Sequence, residues 1–379
     1  MNNLESIQKN DLKTEIITSL ISQGFIIDKK INPENHQKEI LKKIHSQKRI
    51  EQLWLHKNFL LENMGLAREY STNLKEINPK KIQLKLIEVK PNSQESKLFL
   101  WWNLAWWSLP FDRPFGRQMR FLLWDEYHNS PFGLIGLQSP PLVSKIRDST
   151  LGLTNGTREI WINQSLYAQR LGAIPPYNEL LGGKMVGLSL IANEIRERYA
   201  KKYENTLTLM KARKIPNRLL FMTTTSAFGK SSVYERIKYE NDLVAHFLGY
   251  TSGAGTFQLT EELYQKCLQF LEQEGYNVKR GYGTGPSRKL KLIAKALSKL
   301  QIKKFQYHNI QRGMYLIPLV KNLENVIHQN DDPVFLDRTF SDLSNYWLKR
   351  WAIPRSNRTK QWQSFDFEKF FNNVKTTLQ

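Results

Sequence analysis

The chain has 379 residues, of which 40% are hydrophobic and 12% aromatic, and this composition excludes a wholly disordered protein. Its 56 Lys and Arg residues against 35 Asp and Glu residues give a formal net charge of +21. A single cysteine, Cys267, excludes a disulfide scaffold, and no Cys/His group has zinc-finger spacing. No leader pattern and no apolar run of about 18 residues is visible, so we expect a cytoplasmic protein without a membrane partner.

The excess of positive charge predicts a polyanionic partner. Nucleic acid is the first candidate, because every phosphate that a Lys or Arg contacts releases counterions; DNA is favoured and RNA is left open. A lysine-rich proteome would produce the same net charge without any such partner. Clustering of the basic residues along the chain favours the first interpretation.

Helical spacing of apolar residues predicts an N-terminal helical domain over residues 1–78, made of about three helices. Gly24 is expected to end the first helix, and Pro33 with Glu34 to begin the second. Asn78 and Pro79 then break the helical pattern, and we place the domain boundary there.

Alternating apolar runs and helical patterns predict a central mixed α/β domain over residues 79–260. The predicted strands are 82–88, 119–125, 132–138, 159–163 and 218–225, and the predicted helices are 179–203 and 231–238. Four tryptophans between residues 98 and 109 could stack bases or a ligand, but a core between domains is the favoured role.

Residues 261–379 are predicted to form a basic, mainly helical region with helices near 260–274, 287–300 and 335–350. Two stretches in it contain no acid, and their basic residues are the principal candidates for contact with phosphates. These candidates are Lys279, Arg280, Arg288, Lys289, Lys291, Lys295, Lys299, Lys303 and Lys304 in the first stretch, and Lys349, Arg350, Arg355 and Arg358 in the second. Helical spacing puts Arg288, Lys291, Lys295 and Lys299 on one face, with Leu290, Ile293, Leu297 and Leu300 available for the other.

Two glycine-containing segments have the composition of an anion cradle. Gly182, Gly183 and Lys184 stand at the start of a predicted helix, where backbone amides and a positive charge favour a phosphate. Ser226, Gly229, Lys230 and Ser231 follow a predicted strand in a hydroxyl-rich turn. A tightly packed strand-to-helix turn and a capped surface loop would explain the same residues without a ligand.

Scattered acids and histidines predict no metal site, although Asp125 with Glu126, Asp331 with Asp332, and Asp337 could contribute to one. This leaves a metal-dependent nuclease or strand-processing enzyme as a third functional hypothesis.

Several motifs follow one another along the chain: WSLPFDRPFGRQMRFLLWDE, GAIPPYNELLGGKMVGL, MTTTSAFGKSSVYERIKY, GYTSGAGTF and GYGTGPSRKLKLIAKAL. Together they resemble the DruA family, a component of Druantia antiphage defence systems, and the resemblance covers roughly residues 1–325. Arg117 and Arg120, in the first motif, are further candidates for binding nucleic acid. The resemblance implies a bacterial protein that takes part in defence against phage, with other subunits of the system as candidate partners.

The central domain also resembles an acetyltransferase of the GNAT fold, with a strand, a glycine turn at Gly182 and Gly183, a helix, a second strand and then Tyr234. This resemblance implies turn amides that hold the pyrophosphate of acetyl-CoA, and a catalytic Tyr234 that protonates the leaving thiolate. The usual turn motif of that fold is not matched. DNA binding in defence is therefore the first functional hypothesis, and acyl transfer to nucleic acid or protein the second.

Overall fold

A seven-stranded mixed sheet forms the centre of the molecule in a computed structural model. The model describes residues 2–28, 30–71, 77–111, 114–208, 211–255, 257–279, 288–302, 305 and 307–379, with only the backbone for residues 2–9. The strands of the sheet are β3 (Leu84–Glu88), β4 (Gln118–Asp125), β5 (Ser130–Gln138), β6 (Ser165–Ala173), β7 (Phe221–Thr225), β10 (His246–Tyr250) and β11 (Gly313–Pro318). Two short hairpins, β1 (Phe25–Ile27) with β2 (Ile31–Pro33) and β8 (Lys238–Tyr239) with β9 (Asp242–Leu243), lie outside it.

The strand order is β10-β11-β7-β6-β5-β4-β3, and β6 with β7 is the parallel pair. All other neighbours in the sheet are antiparallel. Strand β5 is buried at all nine positions, because helices cover both faces of the sheet around it. A parallel pair needs a crossover connection, and here the chain between β6 and β7 supplies it with helical segments.

The α-helices pack around the sheet. They are α1 (Asn2–Gln23), α2 (Lys38–Leu55), α3 (Lys57–Glu62), α4 (Met64–Glu69), α5 (Gln94–Trp106), α6 (Lys145–Thr150), α7 (Arg158–Ile162), α8 (Gly182–Leu188), α9 (Asn193–Lys202), α10 (Glu261–Gln273), α11 (Arg288–Lys299), α12 (Leu323–His328), α13 (Phe340–Trp347), α14 (Ile353–Arg358) and α15 (Phe367–Thr377). A π-helix, Leu348–Ala352, joins α13 to α14. None of the helices in the described ranges combines the length and apolar character that a membrane span requires.

A second hydrophobic core lies beside the sheet and is built from sequence-distant helices. Buried side chains of α1 and α2, such as Ile16 and Ile44, pack with those of α10 and α11, such as Leu271 and Ile293. Cys267 is buried in this core, and burial raises the pKa of its thiol to about 12. The thiol is therefore protonated and unreactive at neutral pH.

The tryptophans of the cluster pack in or against the main core, as predicted, while the domain boundary that this core was expected to join stays a prediction. Trp101 and Trp102 are fully buried, and the Trp101 indole nitrogen donates to the Leu60 carbonyl oxygen at 3.0 Å. The ring of Trp102 stacks on Phe370 of α15 at a centroid distance of 5.6 Å. A ring buried in this way is closed to a stacking ligand.

Several predicted elements are wrong in place or type. Residues 159–163 lie in and just beyond helix α7 rather than in a strand, and the strand beside β5 is the later β6. The predicted helix over 179–203 is broken into a 3₁₀ turn, α8, a second 3₁₀ turn and α9, because Ala192 adopts an extended conformation. Only a 3₁₀ turn, Tyr234–Arg236, stands where a helix was predicted over 231–238.

The start of the second N-terminal helix was also predicted wrongly. Pro33 ends strand β2, and α2 begins at Lys38. The hairpin β1–β2 had no counterpart in the prediction, because its two strands have only three residues each and show no readable alternation.

Candidate functional site

The parallel strands β6 and β7 separate after a short pairing, and the candidate site lies beside this point. They pair from Ser165 with Phe221 to Ala168 with Thr224, after which β7 ends at Thr225 and β6 continues to Ala173. Crevices outside the carboxyl ends of parallel strands, next to a change in strand order, are common ligand sites in α/β sheets. The residues that follow β7 are therefore the first candidates for a ligand site.

Four hydroxyl side chains, Thr224, Ser231, Tyr234 and Tyr315, meet at this end of β7, and we call them the hydroxyl cluster. The Thr224 hydroxyl donates to the Ala168 carbonyl oxygen at 2.9 Å, and the Tyr234 side chain is hydrogen-bonded to Thr224. The Tyr315 oxygen accepts from the Ser231 amide at 2.9 Å, and the rings of Tyr234 and Tyr315 are 5.2 Å apart. The hydroxyl cluster thus links β7, β11 and the loop between them.

Burial raises the pKa of Tyr234 well above its usual range, and the neighbouring hydroxyls of Tyr167 and Tyr315 raise it further. The hydrogen bond with Thr224 acts in the opposite direction and is outweighed. Tyr234 therefore keeps its proton at neutral pH. A protonated tyrosine can donate to an anionic leaving group, but it cannot act as a base.

The loop from Ser226 to Ser231 is held by its own polar groups. The Ser226 hydroxyl donates to the Gly229 carbonyl and accepts from the Gly313 amide at 3.0 Å. Gly229 has a φ of +54°, a left-handed conformation that glycine adopts without strain. Lys230 forms an ion pair with Glu235 at 3.1 Å, and the Ser231 hydroxyl accepts from the Tyr234 amide at 3.3 Å. The described contacts of Ser226 and Gly229 are therefore those of a closed turn.

The two glycines that begin α8 have different surroundings. A Cβ on Gly182 would lie 2.6 Å from the Tyr177 carbonyl oxygen and 2.7 Å from the Ala173 Cβ, whereas a Cβ on Gly183 would meet nothing within 4 Å. Gly182 is therefore required for packing, and open space lies over Gly183. The Trp347 indole nitrogen donates to the carbonyl oxygen of Leu181 at 3.1 Å, so α13 covers one side of the turn.

Three positive side chains from separate segments converge beside this turn. Lys184 of α8 lies 4.4 Å from the ring centre of Trp351, and burial, then repulsion by Arg350 and Arg236, lowers the pKa of its amine. We call Lys184, Arg236 and Arg350 the cationic cluster. None of these three side chains has a carboxylate within 4 Å in the described part of the chain. Mutual repulsion of this kind is relieved when an anion binds.

The first basic tract is less free than its sequence indicated. Lys289 pairs with Glu261 at 2.7 Å and Lys299 with Glu274 at 3.2 Å, so residues at the two ends of α10 neutralise them. Arg288 donates to the Val278 carbonyl oxygen at 2.7 Å, and Lys295 lies 3.6 Å from the ring centre of Tyr276. Lys291 is exposed, and so is Lys279.

One detail of the predicted helix faces is wrong. Leu290 is exposed, whereas Leu292 and Ala296 join Ile293 and Leu297 in the core. Arg280, Lys303 and Lys304 lie outside the described residues.

The other basic residues predicted to contact phosphates differ in how exposed they are and in what they bind. Lys349 and Arg350 are exposed on the π-helix, while Arg355 donates to the Glu179 carbonyl oxygen at 3.2 Å and Arg358 to that of Pro354 at 3.2 Å. The guanidinium of Arg117 donates to Asn163, and that of Arg120 lies over the Phe99 ring at 5.7 Å. The two basic tracts pack in different cores, and only Arg350 of the second joins the cationic cluster.

Acidic and histidine side chains do not converge on a metal position in the described ranges. Asp125 instead accepts hydrogen bonds from the Tyr177 hydroxyl at 2.8 Å and from the Gln83 amide at 3.2 Å, and pairs with His128 at 2.6 Å. The His128 Nε2 accepts from the Asn78 amide at 3.0 Å. This buried network connects β4 with the segments before β3 and after β6. Both carboxylate oxygens of Asp125 accept hydrogen bonds within it.

A cavity of about 360 Å³ lies away from the hydroxyl cluster, between α5 and the β3–β4 edge of the sheet. Its lining includes Tyr70, Glu95, Trp124 and Glu126. Of the residues named from the sequence as possible ligands, Glu126 belongs to this lining, and its carboxylate pairs with Lys85 at 3.0 Å.

Sequence reasoning overlooked Arg236, although it lies two residues after Tyr234 in the same motif. It also overlooked Phe247 and Tyr250, which are exposed aromatic residues on strand β10. Two large aromatic residues within a five-residue strand were a readable signal, but β10 itself was not predicted.

A mixed α/β protein with a site beside a parallel strand pair is the class that the fold defines. The family model described as "Druantia protein DruA" matches residues 35–329, and the chain belongs to this DruA family. It is 29% identical over 378 residues to the Druantia protein DruA of Escherichia coli strain UMEA 4076-1, covering 97% of this chain and 93% of that protein. No solved structure matches the chain. The family assignment supports a part in antiphage defence.

Proposed function

We propose that this chain binds nucleic acid as its part in Druantia defence, with phosphates held at the cationic cluster. The observation that carries the proposal is that Lys184 lies 4.4 Å from the ring centre of Trp351, next to Arg350, and near enough to Arg350 and Arg236 for their charges to repel its own, with no carboxylate within 4 Å of the three among the described residues. Each cation comes from a different segment, so the fold, and not the local sequence, places them together. A phosphate would remove the repulsion that lowers the pKa of Lys184.

The neighbouring basic residues extend this surface. Lys349 is exposed on the same π-helix as Arg350. Lys279 and Lys291 are exposed beside the second core and would supply separate phosphate contacts. The paired residues Lys289 and Lys299 contribute less, because each must first give up its glutamate.

The test measures the affinity for a short duplex and a single strand between about 50 and 200 mM salt. Changing Lys184, Arg236 and Arg350 together to Gln is expected to reduce the slope of log K against log salt by about 2 to 3, since each duplex phosphate contact contributes about 0.9. The matched control changes Lys289 and Lys299 to Gln and should alter the slope by less than about 1. A wild-type protein that binds neither strand form at the lowest salt would refute the proposal.

A second candidate function, GNAT-like acyl transfer, is favoured by the position of Tyr234 beside the end of β7. The glycine turn fits an anionic cofactor in two respects: Gly183 has open space over it, and the cationic cluster lies beside it. Gly182, Gly183 and Lys184 would hold the phosphates of acetyl-CoA, which would supply an acyl thioester. Tyr234, protonated because burial raises its pKa, would hold the proton needed by a leaving thiolate.

Calorimetry and thermal shift with acetyl-CoA test this second candidate, with tripolyphosphate as the matched polyanion. Stabilisation by acetyl-CoA alone supports a cofactor site. Equal stabilisation by both compounds supports a general phosphate site, and the absence of any heat or shift with acetyl-CoA rejects acyl transfer.

A further inference from the structure

Strand β10 carries a bulge that turns two aromatic side chains to one face of the sheet. Phe247 pairs with Tyr315 and Gly249 pairs with Met314, so Leu248 is an extra residue in β10. In a regular strand, residues three apart point to opposite faces. The extra residue reverses the alternation, so Tyr250, opposite Gly313, lies on the same face as Phe247 and Tyr315.

The rings form a continuous group at the surface, which we call the aromatic platform (Phe247, Tyr250 and the underlying Tyr315). The centroid of Phe247 lies 5.3 Å from that of Tyr250 and 5.5 Å from that of Tyr315. Phe247 is 37% exposed and Tyr250 43% exposed, while Tyr315 is fully buried. Two large rings thus remain open to solvent on an edge strand, on top of a third ring that fixes them.

Gly313 keeps the aromatic platform uncovered and its rings in contact. A Cβ at Gly313 would lie 3.2 Å from both the Phe247 and the Tyr315 rings and 3.0 Å from the Gly229 carbonyl oxygen. Any other residue would therefore press against these rings. Glycine opposite Tyr250 also leaves no cross-strand side chain over the tyrosine ring.

A positive charge lies over the Phe247 ring, and the neighbouring Tyr250 ring has no such cation over it among the described residues. The Lys230 ammonium is 4.4 Å from the centre of the Phe247 ring, and Glu235, by hydrogen bond and charge, raises the pKa of Lys230. Lys230 therefore stays protonated across the neutral range. Stacking rings combined with a fixed cation are the elements with which proteins hold single-stranded nucleic acid.

We propose that the aromatic platform stacks an unpaired base of a nucleic acid strand, an inference that rests on the proposed function. Bases inside a duplex are covered on both faces by their neighbours, so the platform accepts a base only from a single strand, an end or an opened position. Tyr315 belongs to both the aromatic platform and the hydroxyl cluster, and its ring is 5.2 Å from that of Tyr234. The Tyr315 ring therefore connects the aromatic platform with Tyr234.

A short single strand with 2-aminopurine at one position tests the inference, because the fluorescence of this base is quenched by stacking. Wild-type protein is expected to quench it, and Tyr250→Ala to abolish the added quenching and weaken single-strand affinity about tenfold. Tyr250→Leu keeps an apolar contact with Phe247 and should lose the quenching as well. Tyr307→Ala is the matched control, since Tyr307 is 45% exposed in the bridge to Ala254.

The outcomes separate this inference from the proposed function. If the single strand binds but both Tyr250 variants quench as wild type does, the stacking inference is overturned while phosphate binding at the cationic cluster stands. If neither strand form binds at low salt, the proposed function fails and the stacking inference fails with it. Loss of quenching in the Tyr250 variants, with duplex affinity unchanged, supports the inference.

Discussion

The paired glycines at the start of α8 give the sharpest prediction about this site. Gly182→Ala would place a methyl group 2.6 Å from the Tyr177 carbonyl oxygen and 2.7 Å from the Ala173 Cβ. Neither atom is at the end of a flexible side chain, so the backbone must shift. Overpacking of this kind costs about 1–3 kcal/mol, and the higher helix propensity of alanine returns at most about 1 kcal/mol. Contacts as short as 2.6 Å place the cost in the upper half of that range, about 2–3 kcal/mol, so we expect a net loss of about 1–2 kcal/mol in the free energy of unfolding.

Gly183→Ala is the matched control, because its methyl group would meet nothing within 4 Å. Its free energy of unfolding, measured by urea denaturation, should equal that of the wild type or exceed it by up to about 1 kcal/mol. If the open space over Gly183 receives a phosphate, this variant should still weaken nucleic-acid or acetyl-CoA binding. Equal stability of Gly182→Ala and wild type would refute the packing argument.

Two other predictions concern the interior. Tyr177→Phe removes a buried donor at 2.8 Å from Asp125 and should lower the free energy of unfolding by about 1–3 kcal/mol, whereas exposed Tyr127→Phe should change it by less than about 0.5 kcal/mol. Burial, and then the charge of Arg312, lowers the pKa of His308 to about 4. Burial, then Arg312 and His308, also lowers the pKa of His45. The unfolded chain then binds protons that the native state does not, so stability present above about pH 6.5 should fall toward pH 4 by up to about 1.4 kcal/mol per pH unit for each histidine. Urea midpoints between pH 7 and pH 5 measure this slope; a flat profile would contradict it, and His246→Gln, at an exposed position, should leave it unchanged.

The sequence predicted the mixed α/β centre and many of its elements. Strands β3, β4, β5 and β7 were located within about three residues at their ends, because each has a clear apolar pattern. Helices α10 and α11 were also located correctly. The N-terminal, central and C-terminal division remains a prediction, and the second core joins α1 and α2 with α10 and α11 across it.

The errors have identifiable physical causes. The residues around Trp161 are apolar enough for a strand, but they form the five-residue helix α7. Trp161 and Ile162 of this helix pack in one hydrophobic cluster with Phe221 of β7. Strand β6 escaped prediction because Gln169 and Arg170 interrupt its apolar pattern. Arg170 is buried there, and its guanidinium donates to the Pro110 carbonyl oxygen at 3.2 Å. Such a compensated charge depends on contacts that no local pattern contains.

The candidate site was predictable in part. The glycine turn, Lys184 and Tyr234 came from motifs, and the structure places the cationic cluster beside that turn. Arg350 was also a candidate from the second basic stretch, and only Arg236 was not named. That these three residues lie near one another required the fold, since they are far apart in sequence. The acids that neutralise Lys289 and Lys299 lie at the ends of α10, so the spacing within the basic tract could not show them.

The packing of α15 against α5 has a consequence for synthesis on the ribosome. Trp101 and Trp102 emerge early, but Phe370 and Phe371, against which they pack, are translated long afterwards. Folding during synthesis begins with the N-terminal part of a chain. The side of α5 that packs against α15 therefore stays uncovered until the end of translation. Nascent chains stalled before residue 367 are therefore expected to recruit chaperones through the indole rings of α5, and release of α15 to end that interaction.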